Sequence, residues 1–541
     1  MSTLLVNAHV YSPSAPYSTA VLVQEGRIAW IGDSSGAEVH RDVAASVIDC
    51  GGQFLAPAFV DAHVHSTSTG VLLEGLDLSM VENASELLDL LSRYARVRRG
   101  DTIIGHGWDE SMWSDQRLPS RTEIDRASWG SVVYLSRVDV HSALVSSALL
   151  AQVPEVSALS GYSESTISRE AHGAARTHVL GHLSRGTRNR AQETFAAHAL
   201  SRGIGSVHEM AGPAISSESD ASSLLSLSEQ GFGPKVFLYW GQLAQHGGIE
   251  IADQLRAHGL GGDLFVDGAI GSRTANLHAS YDDDPGNHGV PYLDSDVISE
   301  HISLSSESKY HTGFHVIGDR AMQSVLEGFE KATQIVGIDK IRQARHRLEH
   351  AELITADQMK QIREYNLTAS MQPLFDSLWG GQHGMYSQRL GERSRHMNQW
   401  GSLAGKGCLV CFSSDTPVTS MSPWQWIKAA MFHSQENQRM TARAAFSAAT
   451  RAGWRALGPQ FDGSGVLVEG SPADLALWRV NEYAIQVPDS RVVQWSTDPR
   501  SATVALPVLS ENDDVPLPEC LATMIDGEVR FQHSNFDGID A

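Results

Sequence analysis

Cysteine is scarce in this chain: four residues, Cys50, Cys408, Cys411 and Cys520, in 541. That excludes a disulfide framework, which needs dense, paired cysteines. Cys408-x-x-Cys411 has redox or zinc-ligand spacing, but Leu409 and Val410 fill the gap and no second pair completes a zinc knuckle. Both thiols therefore read as small core residues of a strand over 407–412. Positive charge is also short. Against 63 Asp and Glu stand 41 Lys and Arg, a net charge of −22. This disfavours nonspecific binding to nucleic acid or to an anionic membrane. The sequence has no apolar run long enough to span a bilayer. Its first residues, Met1-Ser2-Thr3-Leu4-Leu5-Val6-Asn7, lack the basic start and apolar core of a secretion signal. The expectation is a cytoplasmic protein with a small-molecule substrate and with neither nucleic acid nor membrane as partner. A homodimer is left open. No repeat of fixed period and no low-complexity tract breaks the pattern.

What is present is length and alternation. The chain is too long for one small core, and its 42% hydrophobic and 19% charged residues fit a globular protein. Short strands separated by turns read at 4–10, 20–23, 27–31 and 47–49. The same texture returns at 465–468, 475–478, 503–508, 520–525 and 528–531, with Asp526-Gly527 as a hairpin turn. Two all-β pieces at opposite ends predict one composite β-sandwich, 1–56 plus 455–541. Between them, over 57–454, apolar strands alternate with helical stretches such as 321–336 and 355–364. Strand candidates are 54–64, 131–136, 205–209, 234–239, 262–266, 313–317, 345–350, 366–371 and 407–412. The fold class is therefore α/β. A distorted TIM (β/α)₈ barrel with an insertion after its first strand fits the number of units.

In such a barrel the chemistry sits at the C-terminal strand ends. His63 and His65 close the first strand, and alternation puts them on one face. Taken alone, the pair reads as two surface histidines. Asp263 and Asp267 flank Leu264-Phe265-Val266 and share one face of that strand. His315 follows Thr312-Gly313-Phe314, His350 ends Arg347-Leu348-Glu349, and Asp415 follows Val410-Cys411-Phe412-Ser413-Ser414. Each has a bland reading: a core histidine, a strand-end residue, a turn aspartate. Together, four histidines and several carboxylates at strand ends match a divalent-metal site. Asp415 is placed to take a proton from water and return it to a leaving group.

At this point the chain resembles the amidohydrolase superfamily, specifically its amidohydrolase-3 branch of N-substituted formamide deformylase-like and YtcJ-like proteins. The motifs are Ala56-Pro57-Ala58-Phe59-Val60-Asp61-Ala62-His63-Val64-His65, Gly105-His106-Gly107-Trp108-Asp109, Phe265-Val266-Asp267-Gly268-Ala269-Ile270-Gly271-Ser272-Arg273-Thr274-Ala275, His315-Val316-Ile317-Gly318-Asp319-Arg320-Ala321, Arg347-Leu348-Glu349-His350-Ala351 and Ser413-Ser414-Asp415-Thr416-Pro417-Val418. The resemblance implies His63, His65, His315 and His350 as ligands and Asp415 as catalytic carboxylate and ligand. Many relatives carry a carboxylated lysine four residues before the Asp-Gly of the third motif. This chain has Asp263 there, which bridges two ions, binds one, or is an uninvolved turn residue. The cofactor implied is a divalent metal, with zinc the expected ion and one or two ions per site.

On the substrate side, Trp108 either walls the pocket or is a core aromatic. His141 stands in a motif where relatives present a histidine towards the site, which places it to polarise a substrate carbonyl. Asp267 is a further substrate-side candidate. Arg273 holds a substrate carboxylate or pairs with Asp267 or Asp282. The leading reading is a metal-dependent amidohydrolase that cleaves an amide, formamide or cyclic amide through a metal-activated water. Esterase or lactonase activity uses the same chemistry. Deamination of an aromatic base needs a glutamate three residues after His315, where Gly318 stands. A metal-free scaffold relative is the alternative of another class.

Overall fold

In this computed structural model, residues 2–486, 495–496, 504–512 and 514–536 are described. Two four-stranded parallel sheets form its centre. One runs in the order Gly259–Leu260, Lys235–Trp240, Ile204–Ala211, Phe59–Val64; the other runs Gly313–Val316, Arg347–His350, Thr368–Met371, Leu409–Phe412. Single parallel bridges, Leu260 with Thr312 and Val64 with Thr416, link the edges of the two sheets. Every residue of Phe59–Val64, Ile204–Ala211 and Arg347–His350 is buried. Strands covered on both faces bury even their polar side chains, Asp61, His63, Glu209, Arg347 and Glu349 among them. The covering helices are amphipathic. Asp319–Val336 turns Met322, Val325, Leu326, Phe329 and Ala332 inward, an i, i+3, i+4, i+7 stripe. Burying a side chain such as Phe329 contributes about 1.5–3 kcal/mol, so Phe329→Ala costs about 3–5 kcal/mol.

The expected strand over 54–64 is two strands in two sheets. Phe54–Pro57 pairs antiparallel with Leu475–Arg479, whereas Phe59–Val64 pairs parallel with Ile204–Ala211. The five-stranded sheet holding Phe54–Pro57 draws on both ends of the chain, in the order His9–Val10, Phe54–Pro57, Leu475–Arg479, Glu519–Ile525, Glu528–Gln532. It shares one buried cluster, including Leu5, Val23, Ile48, Leu55, Leu477 and Met524, with the N-terminal sheet of Arg27–Gly32, Ala20–Gln24, Ser2–Val6 and Ser46–Asp49. The Asp526-Gly527 hairpin has φ of 49° and 75°, the left-handed pair that a tight two-residue turn requires. Residues 465–468 form no strand. Of the stretch 503–508, Leu506–Pro507 is a strand and Thr503 lies outside the described residues.

A separate five-stranded sheet, Leu76–Asp77, Ile103–Trp108, Val133–Arg137, Ser142–Val145 and Ile167–Ser168, lies between the first and second central strands in the chain. The strand expected at 131–136 belongs to it and not to the central sheets. The strand expected at 262–266 is also replaced. Regular pairing stops at Leu260, and Gly261 and Gly262 take φ of 109° and 78°. A Cβ at 261 would lie 2.1 Å from the Gly313 carbonyl oxygen, so the chain passes there only as glycine. All four cysteines are free and buried, as their scarcity suggested. Among the described residues, no helix is long and apolar enough to cross a membrane.

Candidate metal and catalytic site

The strand Phe59–Val64 carries His63, and His65 follows at the start of the helix Ser66–Leu73. Their ring centroids are 5.3 Å apart. His350 ends its strand with φ of 71°, and Asp415 follows its own strand with φ of 55°. Left-handed backbone at non-glycine residues costs about 1–3 kcal/mol and persists where surrounding contacts enforce it. The contacts at Asp415 are on the first strand. Asp61 accepts the Ser414 backbone N–H (2.9 Å) and hydroxyl (2.6 Å), and the Asp415 N–H donates to the His63 carbonyl (3.0 Å). At His350, inward-facing Arg347 and Glu349 would leave the ring with Leu348 on the outer face. The turn at the strand end brings it inward instead.

Asp263 sits among all four histidines. Its Oδ1 lies 3.5 Å from His63 Nε2, 3.4 Å from His315 Nδ1 and 3.7 Å from His350 Nε2, and its Oδ2 lies 3.1 Å from His65 Nε2. Asp415 Oδ1 lies 3.3 Å from both His63 Nε2 and His65 Nε2. Each histidine has its other nitrogen tied to a fixed group: His63 Nδ1 to Glu349 (2.9 Å), His65 Nδ1 to the Met210 carbonyl (3.1 Å), His315 Nε2 to the Gly268 carbonyl (3.2 Å), His350 Nδ1 to Gln372 (3.0 Å). Such anchoring aims the free nitrogens at one point, as in metal sites. His63 Nε2, His315 Nδ1, His350 Nε2 and Asp263 Oδ1 are buried and lack a hydrogen-bond partner. Buried polar atoms without partners are rare, and here they converge. Two overlapping ligand sets share His63: His63, His65 and Asp415, and His63, Asp263 and His350. The donors fit a divalent cation.

The electrostatics agree. Burial lowers the His63 and His65 imidazoles, but Asp263 and Asp415 outweigh it, raising His63 well above its ordinary value and His65 to about 9. Burial likewise raises the two carboxyls, and the histidines outweigh it, holding both below the usual range. The carboxylates that retain these protons would retain a cation in their place, with proton release on binding. His141 differs. Burial, with the neighbouring His315 charge, lowers it to about 3, so its ring is neutral. It stands 5.4 Å from His315, centroid to centroid, and lines a cavity of about 220 Å³ with His65, Asp263, His315, His350 and Asp415. A larger cleft of about 1350 Å³, over His106, Pro417 and Val418, touches none of the four cluster histidines or two aspartates.

The sequence profile of the amidohydrolase family matches residues 46–531. The chain belongs to the amidohydrolase family, in its amidohydrolase-3 branch. LONG AFTER FAR-RED 3 of Arabidopsis thaliana is 24% identical over 79% of this chain and 77% of its own. N-substituted formamide deformylase of Arthrobacter pascens is 24% identical over 78% and 81%. The crystal structure of an uncharacterized metal-dependent hydrolase from Pyrococcus furiosus is 26% identical, with a TM-score of 0.68 over 88% of this chain and 98% of that one.

In this amidohydrolase three residues expected at the pocket lie elsewhere. Trp108 is a core aromatic. It packs with Trp113 in the insertion, is 1% exposed, and its indole N–H donates to the Leu135 carbonyl (2.9 Å). Asp267 does not line the cavity with Asp263, and their segment keeps only an isolated parallel bridge, Phe265 with His315. The Asp267 carboxylate accepts the backbone N–H groups of Asn276, Ile317 and Gly318 and fixes the loop behind His315. Arg273 pairs with Asp283 through two bonds of 3.1 and 2.8 Å, not with Asp267 or Asp282, and this takes up its fork. Sequence reasoning missed Arg347 and the role of Glu349. Arg347 donates to both Glu349 oxygens (2.7 and 3.0 Å) and to the Ala62 carbonyl (2.6 Å). Burial pushes the Glu349 carboxyl up, but Arg347 and His63 hold it at about 2, so it stays ionised against His63. The available signal was Arg347-x-Glu349, two charges on the same face of an otherwise buried strand.

Proposed function

We propose that this amidohydrolase is a metal-dependent hydrolase that cleaves a carbon–nitrogen bond other than a peptide bond, in an amide, formamide or cyclic amide of a small molecule. The observation that carries this reading is the convergence of unpaired buried nitrogens from His63, His315 and His350 on Asp263, with Asp415 beside them. A divalent ion held there, zinc by expectation, would supply Lewis acidity near neutral pH. His63, His65, His315 and His350 would hold it. Asp263, within reach of all four, is their common carboxylate and serves one or two ions. Asp415 stays ionised and accepts the proton from water, then passes it to the departing nitrogen. His141, neutral at the cavity wall, donates a hydrogen bond to the carbonyl oxygen as charge builds on it. Glu349 and Arg347 hold His63 in its working tautomer. The bridges between the two parallel sheets support a distorted (β/α)₈ barrel over 57–454. The shared terminal core supports a composite β-sandwich of 1–56 plus 455–541.

Deamination is disfavoured by packing. A Cβ at 318 would lie 2.0 Å from the Asn276 carbonyl oxygen, so no glutamate acid fits after His315. The test is metal content and activity on one preparation, against N-formyl, N-acyl and cyclic amides. Turnover that disappears with a chelator and returns with zinc is expected. Turnover that survives complete metal removal, or that is confined to esters and lactones, overturns the reading.

A further inference from the structure

The 220 Å³ cavity has a second wall. The helix Arg169–Gly181, from the insertion, presents Arg169, His172, Gly173 and Arg176 to it. That spacing is one helical face. Neither Arg169 nor Arg176 has a side-chain hydrogen bond or ion pair with any described residue. Their neighbours are otherwise engaged. Glu170 accepts from Ser160, Arg137 takes up Asp109, Glu110 and Asp139, and Arg188 holds Asp220. His172 shares its Nε2 with the Tyr134 hydroxyl (2.8 Å), and burial together with the Arg176 charge keeps its ring neutral. Arg176 is partly withdrawn from water, whereas Arg169 stands at the exposed rim. In a chain of net charge −22, Arg176 lacks the partner that a half-buried arginine ordinarily keeps, and the exposed Arg169 adds a second unanswered charge to the same cavity wall.

We propose that Arg176, assisted by Arg169 at the rim, binds a carboxylate on the substrate, so that the amide cleaved at the histidine cluster belongs to an N-acylated or N-formylated acid. This rests on the hydrolase reading of the same site. The planar guanidinium fork matches a carboxylate with two parallel bonds. The cavity holds the volume of about seven waters, each claiming about 30 Å³, which suits a compact acid. The cluster takes the amide, the helix takes the charge, and the span between them selects against neutral amides.

The test compares N-formylalanine with N-formylalaninamide, which differ only in the carboxylate. The wild-type protein is expected to prefer the acid. Arg176→Gln is expected to lower kcat/KM for the acid roughly tenfold or more, mainly through KM, and to affect the amide far less, because a hydrogen bond to a charged group is lost only with the acid. Arg176→Lys is expected to recover part of the loss, and Arg169→Gln to show a smaller version of it. Calorimetry on Asp415→Asn with N-formylalanine measures binding without turnover. If that protein binds the acid, loses it on adding Arg176→Gln, and no form hydrolyses it, the anion site stands and the hydrolase reading falls for this bond. Equal losses for acid and amide, an undiminished acid rate in Arg176→Gln, or a wild-type preference for the amide overturns the proposal.

Discussion

Two sets of buried histidines in this protein have opposite characters. His301 uses both ring nitrogens: Nδ1 accepts the Ala244 N–H (2.9 Å) and Nε2 bonds the Thr312 hydroxyl (2.6 Å). His346 accepts the Thr312 N–H at Nδ1 (2.9 Å) and lies beside Ser306. Burial lowers both to about 3, so they are neutral struts. His63, His65, His315 and His350 are as deeply buried, yet each keeps one nitrogen anchored and aims the other at Asp263. Burial alone therefore does not distinguish a structural histidine from a candidate ligand. The distinguishing features are an unanswered nitrogen and a carboxylate facing it.

The comparison can be broken at its strongest point first. Asp415→Asn is expected to lower turnover about 10²–10⁴-fold, the usual range for a general base, while metal content by elemental analysis stays near the wild-type value. A rate close to wild type removes Asp415 from the proton path. Metal withdrawal should act on one set only. With free metal at about a hundred times Kd, the loaded protein gains about 2.7 kcal/mol in urea unfolding. His301→Ala should keep that increment while losing about 2 kcal/mol of its own, from a cavity and an unpaired backbone N–H. If His301→Ala instead abolishes metal binding, the division into two sets is wrong. Glu349→Gln is expected to weaken metal affinity about 10–100-fold by releasing His63, and Asp263→Ala to lower affinity or stoichiometry; unchanged binding would place Asp263 outside the site.

The smallest effects separate the sets by pH. The folded values of His301 and His346 lie below the unfolded value of 6.5, so the unfolded chain takes up protons first on acidification. Stability should fall as pH drops from 6.5 towards 3. His65 has the opposite sign in metal-free protein. Its folded value is about 9, so its contribution is full below pH 6.5 and is lost as pH rises through 9. Urea midpoints across pH, with and without chelator, should show the alkaline limb only when metal is absent.

Much of the candidate site was legible in the chain because strand alternation and strand-end placement are local rules. They put His63 with His65, and they picked out His315, His350 and Asp415. The same rules failed where the backbone was irregular. Residues 262–266 are apolar enough to read as a strand, but Gly261 and Gly262 break the pairing, and Asp263 and Asp267 part company. Trp108 read equally as a pocket wall or a core aromatic; packing in the insertion sheet, against Trp113, makes it a core residue. The single run over 54–64 concealed a change of sheet at Ala58 that only distant partners, Leu475–Arg479 and Ile204–Ala211, impose.

The sequence by itself determined the family, the α/β alternation and the chemical kinds of residue at the centre, because those follow from composition, periodicity and short motifs. Tertiary structure decided which nitrogens are free, that Asp263 stands among all four histidines, that Arg347 and Glu349 orient His63, and that a helix of the insertion brings Arg176 to the same cavity. Those facts depend on contacts between residues from tens to hundreds of positions apart, and local pattern carries no information about them.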